Sequence, residues 1–335
     1  MTLYYKLGDF KEFLISLMKN NIVDAVVVPM RGLTENSFSP FLIKDIELLK
    51  NCEPQSPIMS INSARALSQL TAKGAIPFKV AAVMKPCEVI AFRELIKLNQ
   101  VNPENIITIS FDCNGVNSLK DINSKREICE ICTGFTPDYA DIKIFSIGIE
   151  SPVIATDIEL SSLNLEQVEY NKESRENFIK EKLDENIKKR ENKLLEIKSN
   201  FQNLLKNCIV CKNCMRVCPI CFCQECFFDS PALSGNSVTY TLRANRMSGL
   251  SFPENKLLFH LGRMNHMSVS CVGCGACEDA CPAEIPVSQM FASAGDELKK
   301  LFNYQPGRDI AEKIPFTCYE HDELHSFEQP YLEKR

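Results

Sequence analysis

Cys208-Ile209-Val210-Cys211-Lys212-Asn213-Cys214-Met215-Arg216-Val217-Cys218-Pro219 recurs further along the chain as Cys271-Val272-Gly273-Cys274-Gly275-Ala276-Cys277-Glu278-Asp279-Ala280-Cys281-Pro282. Three cysteines at two-residue gaps wrap a short loop around a cubane and offer three thiolates to three irons. The fourth thiolate must come from elsewhere, and in two-cluster ferredoxins the fourth cysteine of each run ligates the other cluster. The spacing therefore predicts one 4Fe–4S cluster on Cys208, Cys211, Cys214 and Cys281, and a second on Cys271, Cys274, Cys277 and Cys218. The proline after each fourth cysteine turns the chain away, and Gly273 and Gly275 allow tight backbone near the sulfides. Zinc needs only four ligands, usually from two Cys-x-x-Cys units. It does not account for two runs of four that each end in Cys-Pro.

Other cysteines lie outside these runs. Cys221, Cys223 and Cys226 open the segment between the runs and are candidate additional ligands, or free thiols packed as small hydrophobes. Cys87 in Lys85-Pro86-Cys87-Glu88 and Cys113 in Asp112-Cys113-Asn114-Gly115 each follow an apolar strand. Cys129 and Cys132 form a further Cys-x-x-Cys. Parallel strands deliver such residues to one sheet edge, where ligands bind. Cys87, Cys113, Cys129 and Cys132 are thus candidate ligands of a third 4Fe–4S cluster, with zinc the competing metal.

The chain has 335 residues, enough for two domains or slightly more, with 17 cysteines and a net charge of −5. Neither the charge nor any basic stripe points to nucleic acid. No apolar run is long enough to span a bilayer. The start, Met1-Thr2-Leu3-Tyr4-Tyr5-Lys6, lacks the apolar stretch of a secretory signal. Tight Cys-x-x-Cys repeats in such a chain mean metal or redox chemistry, in a reducing, anaerobic cytoplasm. No Gly-x-Gly-x-x-Gly follows a strand and no P-loop occurs.

Residues 1–171 alternate helix and strand patterns. Phe10, Phe13, Leu14, Leu17 and Met18 share a helical face, and Asn20-Asn21 ends that helix. Strands are expected at 22–28, 79–84, 106–111 and 142–147, with a helix capped by Ser60 or Asn62 and another starting at Pro86. The pattern predicts an α/β domain with a largely parallel sheet. Residues 172–206 read as one long amphipathic connecting helix with its charges in water. Residues 207–295 form an α+β two-cluster ferredoxin-like domain with an insertion at 219–270, and 296–335 a C-terminal tail. In the insertion, Arg243, Arg246, His260, Arg263 and His266 read as a solvated face or as contacts to an anionic group.

Taken together, Lys85-Pro86-Cys87-Glu88, Asp112-Cys113-Asn114-Gly115-Val116, the run from Cys208 to Cys226, and Leu258-Phe259-His260-Leu261-Gly262-Arg263-Met264 leading into Cys271 resemble the formate dehydrogenase beta subunit, of the coenzyme F420 hydrogenase/dehydrogenase beta-subunit family. The resemblance covers roughly residues 1–295. It implies an oxidoreductase subunit whose α/β domain binds FAD and exchanges electrons with a soluble carrier: coenzyme F420, NAD(P) or ferredoxin. It also implies a partner, either a formate dehydrogenase catalytic subunit, a hydrogenase or a heterodisulfide reductase-like subunit. Many members carry their ferredoxin motifs before the flavin domain, whereas here they follow it, so no FAD-binding residue is carried over. The other reading is a flavin-free electron-transfer and docking subunit that links a formate dehydrogenase or hydrogenase to a heterodisulfide reductase-like complex.

Overall fold

The computed structural model describes residues 2–34, 37–170, 172–230, 238, 241–242, 245–246 and 256–318. The cores of the expected strands are runs of β-branched and small apolar residues: β2 (Ala25–Arg31), β4 (Val80–Met84), β5 (Ile106–Phe111) and β6 (Ile142–Phe145). β2, β4, β5 and β6 pair in parallel, with Val80 opposite both Ala25 and Ile106. Three further strands, β1 (Leu3–Lys6), β3 (Phe38–Ile43) and β7 (Val153–Thr156), add antiparallel edges. The order is β1-β7-β6-β5-β4-β2-β3. The sheet is therefore a parallel centre inside antiparallel margins. β3 tolerates Pro40 because it is an edge strand.

Side chains alternate across this sheet. Val26, Val28, Ala81, Val83, Ile109 and Phe111 face α1 (Phe10–Lys19). Ala25, Val27, Val80, Ala82 and Met84 face α3 (Ser63–Leu70) and α4 (Pro86–Lys97), giving a three-layer core. The short α2 (Ile46–Leu49) follows β3. Asp9 caps α1 by accepting from Glu12 N. Asn62, rather than Ser60, caps α3 by accepting from Ala64 N at 3.0 Å. Glu88 joins the starts of two helices: Oε2 accepts from Lys85 N at 2.8 Å and Oε1 from Ser63 N at 2.7 Å. That is why an acidic residue is buried one position after Cys87.

Beyond Thr156 the described residues contain helices and loops and no strand, which differs from the α+β expectation for the cysteine-rich part. Its backbone is used to wrap thiols, in left-handed turns that no ladder accommodates. The helices are α5 (Glu127–Glu130) in the α/β part, then α6 (Lys172–Ser199), α7 (Phe201–Leu204), α8 (Asn213–Arg216), α9 (Lys256–Met267), α10 (Ala276–Asp279) and α11 (Val287–Leu301). The connecting helix breaks at Asn200, so the expected span 172–206 divides into α6 and α7. Its polar side is not all in water: Arg175 and Asn186 are buried while Ile187 is exposed. Asn186 donates to the Cys132 carbonyl at 2.7 Å, and Arg190 holds Asp296 of α11.

The two parts share packing. Ile220, just after the first cysteine run, is buried in the α3–α4 side of the core, with Cys218, Phe222 and Val272 against it. Arg126 is a second tie: it donates to the Met59 and Cys274 carbonyls and pairs with Asp279 at 2.6 Å. A third lies in the tail, where Tyr304 donates to the buried Glu94 at 2.7 Å and Lys97 pairs with Glu94 at 3.0 Å.

Candidate metal centres

The two cysteine runs fold alike. In the first, Val210 and Lys212 have φ of 48° and 64°; in the second, Gly273 and Gly275 at the same positions have φ of 66° and 73°. Each loop thus alternates left-handed residues with cysteines, turning the thiols inward. Glycine adopts this conformation freely, while a β-branched Val210 does so only under constraint from its surroundings. Gly275 has no room for a side chain either: a Cβ there would sit 2.7 Å from Ile128 Cγ2 and 2.9 Å from Arg126 Cδ. At Gly273 the nearest atom would be 4.0 Å away. Gly275→Ala is therefore expected to loosen the second loop by more than the roughly 1–3 kcal/mol of the left-handed conformation alone, and Gly273→Ala by about that amount. Iron retained during denaturant titration ranks the two; equal losses would contradict the steric account.

Around these loops the structure forms two small enclosed cavities. One is lined by Cys208, Cys211, Cys214 and Cys281, with Ile209, Phe259 and Ile285. The other is lined by Cys218, Cys271, Cys274 and Cys277, with Ile220, Met267 and Phe291. Each takes its fourth cysteine from the other run. All of these thiols are free.

Cys87, Cys113, Cys129 and Cys132 meet at the wall of a third, larger cavity of about 1000 Å³. β4 and β5 are adjacent parallel strands, so their C-terminal ends bring Cys87 and Cys113 to one sheet edge. The turn at α5 brings Cys129 and Cys132 to the same place, and Gly115 lies so close to Cys129 that a Cβ would be 3.2 Å from its Cβ. Cys274 of the second cage also lines this cavity, as do Lys125, Lys182, Lys189 and Lys193.

Burial pushes the Cys87, Cys113, Cys129 and Cys132 thiols up, Cys129 to about 11, and those of Cys271, Cys274 and Cys277 likewise. Desolvation disfavours a bare thiolate, so these sulfurs suit a cationic iron core that holds them deprotonated. Peptide N–H groups already point at sulfur: Val210 N lies 3.4 Å from Cys208 Sγ, and Gly115 N lies 3.4 Å from Cys113 Sγ. Cys218 is held below the usual thiol range by the hydrogen bond from Cys221, which in turn stays protonated.

The remaining cysteines do not form a fourth group. Cys221 serves Cys218, Cys226 lies 3.6 Å from Met215 Sδ, and Cys223 is exposed. Of the basic residues of the insertion, Arg246 and His266 are exposed, Arg243 lies outside the described residues, and His260 and Arg263 are 1% and 2% exposed. His260 Nε2 is 3.3 Å from Cys208 Sγ, and Arg263 Nη1 is 3.1 Å from Cys214 Sγ. His260 Nδ1 and Arg263 Nε are buried without a partner. A single helix face, at positions three apart on α9, thus presents donors to the first cage.

Residues 204–285 match the 4Fe-4S dicluster domain family. The F420-dependent formate dehydrogenase subunit beta of Methanocaldococcus jannaschii is 25% identical over 88% of this chain and 89% of its own length. The F420-dependent formate dehydrogenase 1 subunit beta of Methanococcus maripaludis is 26% identical over 69% and 73%. Over most of its length the chain is similar to these formate dehydrogenase beta subunits. Among solved structures, a chain of the F420-reducing NiFe hydrogenase complex from Methanosarcina barkeri is similar at 13% identity and a TM-score of 0.46, over 58% of this chain and 91% of that one.

Proposed function

We propose that this chain carries electrons through three 4Fe–4S clusters, as a subunit of a formate dehydrogenase-type complex, between a soluble hydride carrier and a catalytic partner. One observation carries the reading: twelve cysteines fall into three groups of four around three cavities, and Cys274 lines both the second and the third. The groups are Cys208, Cys211, Cys214 and Cys281; Cys271, Cys274, Cys277 and Cys218; and Cys87, Cys113, Cys129 and Cys132. Among the described residues no three His, Cys, Asp or Glu side chains converge on a point where one metal ion would sit. That arrangement suits a cubane, whose thiolates bind separate irons, better than zinc.

The large cavity is the candidate FAD site. Its volume suits a dinucleotide. Its wall carries Lys125, Lys182, Lys189 and Lys193 together with Glu127, Glu130 and Glu196. Lys189 and Lys193 pair with Glu185 and Glu127, which leaves Lys125 and Lys182 as the cations for a pyrophosphate, while Pro86, Val116 and Phe135 supply apolar wall. When bound, a flavin exchanges electron pairs and clusters pass electrons singly. The chain's residues hold, space and tune these groups. Coenzyme F420 is the carrier we propose, because the beta subunits that the chain resembles belong to F420-dependent formate dehydrogenases. The partner is a formate dehydrogenase catalytic subunit or a related hydrogenase or heterodisulfide reductase-like subunit. Among the described residues no helix is long and apolar enough to cross a membrane, and we place the complex in the cytoplasm.

Anaerobically purified full-length protein is expected to contain about twelve irons with matching sulfide per chain and to release FAD on denaturation. About eight irons, or zinc with eight irons, would remove the cluster at Cys87. Full iron without flavin would favour the flavin-free docking subunit.

A further inference from the structure

Arg263 has a setting that the wrapping of clusters does not by itself require. Nη1 donates to Cys214 Sγ at 3.1 Å and Nη2 to the Cys214 carbonyl at 3.2 Å, both in the first cage. The same side chain lines the second cage. Nη2 also lies 3.9 Å from Cys221 Sγ, three residues after Cys218 of the second cage. The guanidinium is packed against the rings of Phe259 and Phe291, at 5.6 Å and 4.8 Å. Among the described residues no carboxylate pairs with it, and its Nε has no partner. A buried cation with neither solvent nor carboxylate is strongly disfavoured unless another anion answers it.

We infer that Arg263 is a fixed countercharge shared by the two ferredoxin-type clusters, and that it raises the reduction potential of both. The inference rests on the reading that the two cages hold clusters. A 4Fe–4S core on four thiolates is anionic, and reduction adds one more negative charge. A cation held between the two cages stabilises each reduced cluster more than the oxidised one, which moves its potential upward. Net charge and hydrogen bonds to sulfur are the terms that set such potentials, and Arg263 supplies both to the first cage and charge to the second. Its place in the insertion also gives that segment a use. α9 brings the cation to a gap between two loops that are far apart in sequence. Arg263 is a positioning and tuning residue; it ligates no iron.

The test is an EPR-monitored potentiometric titration of full-length protein carrying Arg263→Met or Arg263→Lys, after iron and sulfide analysis of each. In Arg263→Met the reduced-to-oxidised ratio of both clusters at a given potential is expected to fall at least tenfold, a downward shift of about 59 mV for one electron. Arg263→Lys keeps the charge but not the fork that grips Cys214 Sγ and carbonyl together. It is expected to lower the first cluster severalfold while the second stays within about twofold of wild type. Fully loaded variants with both clusters within twofold of wild type would overturn the inference. If Arg263→Met fails to retain the first cluster, a second cluster in that variant within twofold of wild type overturns it. Wild-type protein without iron and sulfide in these cages would overturn the cluster reading and the inference with it.

Discussion

In Cys218→Ser protein, the 4Fe–4S signal that disappears is expected to be the one lost in Cys277→Ser, not the one lost in Cys211→Ser. Cys218 belongs to the first run in sequence but lines the cavity formed by the second loop. Cys281 is the mirror case, and its replacement by serine is expected to remove the Cys211 signal. Each loss amounts to about four irons per chain if the cage empties fully. The comparison needs no prior assignment of spectra, because each variant is read against a partner within its own group. A Cys218→Ser spectrum that matches Cys211→Ser would show that each run keeps its own fourth cysteine. Cys221 adds a complication with a definite sign. Cys221 lies close to Cys218 in the chain but lines neither the second cavity nor the first, so Cys221→Ala leaves every proposed ligand in place. The Cys218 cluster is expected to remain, which separates supporting cysteines from ligating ones.

The turn made by each cysteine run was legible in the sequence because its spacing is local: three thiols separated by two residues each must turn around one centre. The sheet edge with Cys87 and Cys113 was legible because each follows a continuous apolar run that pairs in parallel with its neighbour. Part of what the sequence hid has one physical cause, the burial of polar residues. His260 and Arg263 look like any basic positions on a half-polar helix, and only the fold shows that they face sulfurs 52 and 49 residues away. The spaced apolar residues of α6 suggested an amphipathic face, yet Arg175, Asn186 and Arg190 seat much of it, through hydrogen bonds to carbonyls and carboxylates rather than apolar contact. The antiparallel strands β1, β3 and β7 were missed for another reason. β1 and β7 have four residues each, and β1 and β3 are partly exposed, so neither a long apolar run nor clean period-two alternation develops. The left-handed Val210 could be anticipated only by setting the two runs in register, where it falls opposite Gly273.

Arg126→Ala is expected to separate the second loop from the α/β part at a cost of about 3–5 kcal/mol, the range for stranding one member of a buried ion pair. Arg126 and Asp279 side chains are 3% and 4% exposed, so neither solvent nor salt screens their attraction. The loss is compounded because the same guanidinium also donates to the Cys274 carbonyl at 2.7 Å and the Met59 carbonyl at 2.8 Å. One contact lies on the cluster loop and the other on the segment before α3, so this side chain joins the two parts across a buried seam. Asp279 keeps two weaker donors, Ser118 Oγ at 2.8 Å and Leu119 N at 3.2 Å, which places the cost toward the lower end of the range. Asp279→Asn in the Arg126→Ala background removes the stranded charge and is expected to recover part of the loss, so the double variant should be more stable than the sum of the single effects. Unfolding of a cluster protein is not two-state, so the readout is the urea concentration at which cluster absorbance is lost. Arg126→Ala should lower that midpoint and release the second-loop cluster before the cluster bound through Cys211. Loss of both clusters together at the wild-type midpoint would mean that the seam is held by packing around Ile220 and Val272 instead.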